Sequence, residues 1–175
     1  AAVKVARMAQ SEGASALLVF PPNSMSMGGQ LRPNMALRHF EMIAEATDLP
    51  LILFQYPQAT GLGYPFATMQ AIFDAVPSIV AIKDWCNDPM LHEKHIRTFQ
   101  SRHRPVNVLT THSSWLMASL SMGPAGLLSG AGSVIADLQV ALFDAIRAND
   151  LAAARAVNDR IYPLAQAFYR APFLD

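Results

Sequence analysis

The chain has 175 residues, of which 52% are hydrophobic and 15% charged, and its thirteen basic residues balance thirteen acidic ones. A net charge of zero argues against a nucleic-acid partner or an anionic membrane surface, because both require a cationic footprint. No apolar run reaches the roughly 18 residues of a membrane span, and no secretory signal is recognisable. Cys86 is the single cysteine, which excludes an internal disulfide and, with these features, favours a cytoplasmic protein.

The first half of the chain alternates helical and strand patterns. Residues 1–10 carry apolar side chains near helical spacing. Apolar runs at 15–20 and 49–56 predict strands that are buried in a sheet. A helical pattern follows each run, one from Asn34 and one from Pro65, since proline suits the first turn of a helix.

The second half repeats this alternation. The predicted strands are 79–83, 106–110 and 126–131, and the predicted helices are 88–100, 114–121, 136–149 and a last one from Asp150. No linker, low-complexity tract or abrupt change of composition interrupts the pattern, and the length allows one domain or one large part of a domain.

Five strands, each followed by a helix, imply a parallel sheet. Two architectures fit this pattern, a doubly wound open sheet and a (β/α)8 barrel. No Gly-rich fingerprint follows the first strand, which weakens the dinucleotide-binding version of the open sheet. A complete barrel takes about 250 residues and eight strands. We therefore expect an incomplete α/β barrel, with about five C-terminal β/α units and a C-terminal helix.

Lys83 is the residue most suited to covalent chemistry. It is one of three lysines, with Lys4 and Lys94, and it alone lies in a strand-like apolar run, 80–85. Burial there would lower its pKa and leave some free amine, the form that attacks a carbonyl to make a Schiff base. The alternative is an ordinary strand-end lysine whose ammonium reaches water.

Four segments resemble the dihydrodipicolinate synthase/N-acetylneuraminate lyase family in order and spacing. They are Glu12–Pro22, Leu49–Gly61, Ile79–Trp85 and Met122–Val134. The most specific feature is a strand that ends in an aromatic–amide–x–Pro motif and is followed by Ile-Lys-Asp. The resemblance implies a barrel domain over 1–175 whose first three strands are missing. It also implies that Lys83 forms a Schiff base with pyruvate or another 2-oxo acid, without a metal or organic cofactor.

The chain departs from the family pattern at several polar positions. Phe54 stands where the family usually has a proton-relaying tyrosine, Asn23 where it has a second tyrosine, and Ala59 where the synthase has a substrate-binding arginine. The family's Gly-Thr-Thr-Gly-Glu segment is not found here. Tyr56 faces the same side as Phe54 but lies about 6.6 Å further along the strand, so it is a poor replacement. We expect a different 2-oxo acid or aldehyde substrate from that of the lysine-pathway synthase.

The predicted site contains residues that follow several strands. Lys83 is the expected nucleophile. Phe54 and Tyr56 form the wall beside it, Thr60 and Gly61 shape the loop above, Thr111 belongs to a polar cluster that sets substrate choice, and Leu128 offers backbone polar groups. An ordinary polar loop is the alternative for Thr111.

The expected reaction is reversible cleavage of a carbon–carbon bond, or a related dehydration, through a lysine-bound 2-oxo acid. The expected partners are small molecules and, in the full-length protein, further copies of the chain. One alternative is a relative that has lost catalysis and binds a small acid or a partner protein. Another is a barrel enzyme that binds a phosphorylated substrate near Gly130 and Gly132.

Two further expectations concern groups outside this site. His92 and His95 are three residues apart rather than four, so they do not match a zinc-binding helix, and we expect them on a solvated face. Cys86 is expected to be small and semi-buried. We also expect the isolated chain to associate, aggregate or be inactive, because an incomplete barrel leaves unpaired sheet edges.

Overall fold

The structure, a computed structural model, describes residues 1–168 apart from the side chain of Gln30. Of the predicted domain, residues 169–175 lie outside the described residues. The strands are β1 (Leu17–Val19), β2 (Leu51–Gln55), β3 (Ile79–Asp84), β4 (Asn107–Thr110) and β5 (Gly126–Leu127). The helices are α1 (Ala2–Ser11), α2 (Pro33–Ala44), α3 (Phe66–Ala75), α4 (Pro89–Phe99), α5 (Leu116–Ser121), α6 (Gly132–Arg147) and α7 (Leu151–Phe168).

The strands form one parallel five-stranded sheet, and a helix follows each strand along the chain. The order in the sheet is β1-β2-β3-β4-β5, without a reversal. A doubly wound sheet reverses its strand order at a switch point, so this order favours the barrel of the two predicted architectures. None of the helices in residues 1–168 is both long and apolar enough to cross a bilayer.

The chain divides into two compact units, Ala1–Val108 and a second that begins at Leu109. In the first unit β2 lies between β1 and β3, and Leu53 and Phe54, which point to opposite faces of the strand, are both buried. Burial on both faces explains why β2 reads as a continuous apolar run. The apolar stripe predicted for α3 is buried as well, and it comprises Met69, Ile72, Phe73 and, just beyond the helix, Val76.

The second unit has its own core between α5, α6 and α7. Leu138 and Leu142 of α6 pack with Leu116 and Leu120 of α5 and with Ile161 of α7. Leu138 and Leu142 are four residues apart, so they lie on one face of α6, as the sequence predicts.

The predicted elements around this core are shortened or divided. The strand predicted over 126–131 ends at Leu127, because the chain turns there, with Gly132 N–H donating to the Ser129 carbonyl. The helix predicted over 114–121 begins as a 3-10 turn, Ser113–Trp115, before α5. Both differences lie at element ends, where short-range hydrogen bonds outweigh the apolar pattern.

Candidate active site

Lys83 lies in β3 directly beside Phe54 of β2 in the parallel register. Its Nζ is 4.6 Å from the centroid of the Phe54 ring. The side chain is half-buried, and burial lowers the pKa of this amine below the ordinary value of 10.5. The free amine is thus more abundant near neutral pH than on an exposed lysine, which is the state that a carbonyl nucleophile requires.

Phe54 belongs to a group of four aromatic side chains that pack on one another in two rows across the strands, and we call this group the aromatic wall: Phe20, Phe54, Tyr56 and Trp85. The register pairs Val19 with Leu53, so Phe20 comes next to Phe54, and their ring centroids are 4.9 Å apart. The first row therefore reads Phe20, Phe54, Lys83.

The second row lies two residues closer to the carboxyl ends of the strands. Tyr56 and Trp85 have ring centroids 5.6 Å apart, and the Trp85 N–H donates to the Gln55 carbonyl, which continues the ladder between β2 and β3. The Tyr56 ring also packs on Phe54, with centroids 4.4 Å apart. Burial raises the pKa of the Tyr56 hydroxyl, so it stays protonated well beyond neutral pH.

The loop after β2 is held in one conformation by hydrogen bonds. The side-chain amide of Gln55 accepts from the Tyr64 N–H at 3.0 Å and donates to the Tyr64 carbonyl at 2.9 Å. The Thr60 hydroxyl donates to the Pro57 carbonyl at 2.7 Å. Gly61 has a φ of 74°, in the left-handed region that favours glycine. Thr60 and Gly61 thus both contribute to the shape of this loop.

Asp84, next to Lys83 in sequence, is the acceptor of a fully buried hydrogen-bond network. His92 Nδ1 lies 2.7 Å and His95 Nδ1 2.8 Å from Asp84 Oδ2, and the Cys86 N–H donates to Asp84 Oδ1 at 3.1 Å. Burial raises the pKa of the Asp84 carboxyl, but the hydrogen bonds from both imidazoles outweigh it and hold that pKa well below its usual range. An ionised carboxylate only accepts, so both Nδ1 atoms carry a proton.

The prediction that His92 and His95 lie on a solvated face is wrong. Both side chains are fully buried, and the ring of His95 stacks on Phe66 and Phe99. The sequence contained a signal for this arrangement. His92, His95, Ile96 and Phe99 recur at i, i+3, i+4 and i+7, which is the buried stripe of a helix.

Three potential metal-ligand side chains also meet in the first unit. Ligand atoms of Asp84, Cys86 and His92 lie within 4.8 Å of one another. Hydrogen bonds account for this proximity, because both Asp84 oxygens accept N–H groups and the Cys86 thiol donates to the Asp88 carbonyl at 3.4 Å. Burial, with Asp84 nearby, raises the pKa of the Cys86 thiol and keeps it protonated. This buried thiol is not a nucleophile at neutral pH.

In the second unit, Thr111 and Leu128 lie at the ends of β4 and β5. Thr111 is buried, and its carbonyl accepts the Ser113 N–H at 2.8 Å. The Leu128 N–H donates to the Thr110 carbonyl at 2.9 Å. Thr110 also hydrogen-bonds His112 Nδ1, so this segment is a buried polar cluster rather than a solvated loop.

The segment around Gly130 and Gly132 uses its own backbone donors. The N–H groups of Gly132 and Ser133 donate to the carbonyls of Ser129 and Gly130, and the Ala131 N–H donates to the Ser129 hydroxyl. A phosphate cradle needs such N–H groups directed at the anion. The geometry therefore favours the tight turn over the phosphate site.

The structure brings Lys83, Phe54 and Tyr56 into one cluster, with Thr60 in the loop that follows them. The sequence interpretation missed Phe20 and Trp85 as members of this cluster. For Trp85 the signal is the period of two along a strand, since it is two residues after Lys83 on the same side, whereas Phe20 comes next to Phe54 only through the register between β1 and β2. The sequence interpretation also missed that Asp84, next to Lys83, is the common acceptor of a buried hydrogen-bond network with His92 and His95.

The chain matches the model of the dihydrodipicolinate synthetase family over residues 1–174. The 4-hydroxy-tetrahydrodipicolinate synthase of Acidobacterium capsulatum is 31% identical over 170 residues, covering 95% of this chain and 53% of that protein. The corresponding enzyme of Methanoculleus marisnigri is 28% identical. The chain thus spans about half the length of these relatives.

Solved structures agree with this match. The Escherichia coli K12 prophage protein YagE, solved in complex with pyruvate, is 25% identical with a TM-score of 0.84, covering 98% of this chain and 56% of YagE. Dihydrodipicolinate synthase of Bacteroides thetaiotaomicron, at 20% identity, has the same fold with a TM-score of 0.82. The parallel sheet and its helices match the C-terminal part of these (β/α)8 barrels, as the sequence predicts. The chain belongs to the dihydrodipicolinate synthetase family.

Proposed function

We propose that the protein is a lyase that makes or breaks a carbon–carbon bond through a Schiff base between Lys83 and a 2-oxo acid such as pyruvate. The observation that carries this proposal is the half-buried Lys83 amine, 4.6 Å over the Phe54 ring, with its pKa lowered by burial. Membership of a family that includes aldolases and lyases supports the reaction class. A related dehydration would use the same imine.

The chemistry follows from the amine. Lys83 Nζ attacks C2 of the 2-oxo acid, a C–N bond forms, and the carbonyl oxygen leaves as water. In the cleavage direction, the C4 hydroxyl loses its proton as the C3–C4 bond breaks, which releases an aldehyde. The bonding electrons move into an enamine because the protonated imine withdraws them. A proton then adds to C3, and water hydrolyses the imine to release pyruvate and free Lys83.

In this proposal, the side chains near Lys83 have different roles. Phe54 places its ring face 4.6 Å from the amine and contributes to the burial that keeps a fraction of the amine unprotonated. Because Phe54 has no hydroxyl, the proton relay must come from another group, from the substrate or from water. Tyr56 forms the wall, and Thr60 sets the loop. We assign Thr111 and the backbone of Leu128 to substrate binding.

The proposal also covers the complete domain, the cellular location and the oligomeric state of the protein. We propose that 1–175 is part of a barrel domain whose remaining strands complete the site, that the protein acts in the cytoplasm, and that the full-length protein is a homo-oligomer. Its expected ligands are small 2-oxo acids, with no nucleic-acid or membrane partner. Light scattering on the full-length protein measures the oligomeric state directly.

Borohydride trapping tests the proposed function. The full-length protein is incubated with pyruvate, reduced with borohydride and weighed by mass spectrometry. We expect a mass gain of one reduced pyruvate, which disappears in Lys83→Ala. Lys94→Ala is the matched control, since Lys94 also lies over an aromatic ring, 4.1 Å from the Phe66 centroid, and should still give the adduct. An adduct that persists in Lys83→Ala would refute the assignment.

A second candidate is a relative that has lost catalysis and binds a small acid. The observation that favours it is Phe54, which places a ring without a hydroxyl beside the amine. This candidate predicts that pyruvate raises the melting temperature while no adduct is trapped and no substrate turns over. An adduct together with turnover refutes it.

A further inference from the structure

The second row of the aromatic wall lies just beyond the carboxyl ends of β2 and β3, which end at Gln55 and Asp84. Tyr56 and Trp85 follow Phe54 and Lys83 by two residues, which is about 6.6 Å along a strand. Active sites in (β/α)8 barrels open at the carboxyl ends of the strands. A substrate that approaches Lys83 from there passes the rings of Tyr56 and Trp85.

Three of the four rings of the aromatic wall are partly exposed to solvent. Phe54 is buried, whereas Tyr56 and Trp85 are each partly exposed and Phe20 is half exposed. The interplanar angle between Tyr56 and Trp85 is 60°, so their faces are not stacked on one another. Planar apolar groups bind such rings by offset or edge-to-face stacking.

Thr60, the polar side chain assigned to this site in the first unit, is engaged within its own loop. The Thr60 hydroxyl donates to the Pro57 carbonyl and accepts the Leu62 N–H, so its hydrogen bonds hold the loop. The hydroxyl of Tyr56 and the indole N–H of Trp85 belong to the rings themselves. A polyhydroxylated substrate would lose water here without a matching set of partners, which costs affinity for each unpaired hydroxyl.

We propose that the aldehyde partner in this site carries an aromatic group, which stacks on Tyr56 and Trp85 while its carbonyl carbon meets the Lys83-bound 2-oxo acid. This inference rests on the proposed function. In the condensation direction, C3 of the lysine-bound enamine attacks the aldehyde carbon and forms the C–C bond. The aldehyde oxygen takes up a proton, and water then hydrolyses the imine, which frees Lys83.

The test uses pyruvate with two aldehyde probes, benzaldehyde and D-glyceraldehyde, on the full-length protein. We expect kcat/KM for benzaldehyde to exceed that for glyceraldehyde at least tenfold. Trp85→Ala and Tyr56→Ala should each lower kcat/KM for benzaldehyde by about tenfold, since one aromatic pair contributes about one power of ten at most. For glyceraldehyde, which has no ring to stack, both substitutions should lower kcat/KM less, so that the preference for benzaldehyde falls.

Two control variants separate stacking from other effects. Tyr56→Phe keeps the ring and removes the hydroxyl, so it should retain the preference for benzaldehyde. Tyr162→Ala removes an exposed tyrosine of α7 in the other unit and should change neither rate. A loss of activity in Tyr56→Phe equal to that in Tyr56→Ala would overturn the stacking role.

The outcomes distinguish this inference from the proposed function. If pyruvate is trapped on Lys83 but glyceraldehyde reacts as well as benzaldehyde, the inference is wrong and the proposed function stands. If pyruvate is not trapped at all, the proposed function is wrong and this inference with it. Equal losses for both aldehydes in Trp85→Ala would also overturn the inference, because they would indicate a general structural effect.

Discussion

Replacing Asp84 by asparagine tests the buried network beside Lys83. The Asp84 carboxylate is fully buried and accepts three N–H groups, from His92 Nδ1, His95 Nδ1 and the Cys86 backbone. An asparagine of the same shape removes the charge and directs an NH2 donor at another donor. Removing this buried charge while leaving a donor directed at a donor costs about 3–5 kcal/mol. We expect Asp84→Asn to lower the free energy of unfolding by that amount.

Urea denaturation measures this loss as a shift of the transition midpoint at constant slope. Asp74→Asn is the matched control, because Asp74 is exposed and pairs with Arg102 at the surface, where ion pairs contribute about 0–1 kcal/mol. If Asp84→Asn and Asp74→Asn unfold at the same urea concentration, the network does not stabilise the fold and the reasoning fails.

The stabilisation that the Asp84 carboxylate contributes to the folded state should depend on pH. The pKa of Asp84 is held below its ordinary value of 3.8 in the folded state. Its contribution is therefore present above that value and is lost as the pH falls below about 4. The gap in unfolding free energy between the unaltered protein and Asp84→Asn should shrink in that range. A gap that grows on acidification would contradict the assignment.

Three further results are expected. The rate of pyruvate adduct formation should rise with pH and level off below pH 10.5, because burial lowers the pKa of the Lys83 amine; a midpoint above 10.5 would contradict this. Gly63→Ala should destabilise the protein by about 1–3 kcal/mol, since the new Cβ would lie 2.4 Å from the Tyr56 carbonyl oxygen. Gly130→Ala is the control, because no atom lies within 4 Å of its new Cβ, and thermal denaturation should show almost no change in stability. Phe54→Tyr should raise kcat if the missing hydroxyl limits proton transfer, and an unchanged kcat with intact adduct formation would argue against that limit.

The order of strands and helices is predictable from the sequence because β2 and β3 are buried and read as apolar runs between breakers. The alternation alone does not give the unreversed strand order, since a doubly wound sheet has the same alternation along the chain; the expectation of a barrel depended on the missing Gly-rich fingerprint, the chain length and the family resemblance. The end of β5 at Leu127 was missed because the turn at Ser129 depends on short-range hydrogen bonds, which an apolar pattern does not record.

At the site, Lys83 was predictable because a lone lysine in an apolar strand is unusual. The placement of Phe20 and Trp85 depends on the register between strands, which the sequence of one strand does not give. His92 and His95 were misassigned because histidine is polar by composition. Only the partner, Asp84, makes their burial favourable, and that partner lies on a different element.

The most direct test of the central claim is to locate the trapped 2-oxo acid on the chain. After reduction with pyruvate and borohydride, the protein is cleaved and its peptides are sequenced by tandem mass spectrometry, which distinguishes Lys4, Lys83 and Lys94. The account predicts that the reduced adduct lies on Lys83 and that Lys4 and Lys94 are unmodified. An adduct spread over all three lysines, or confined to either of the other two, would contradict it.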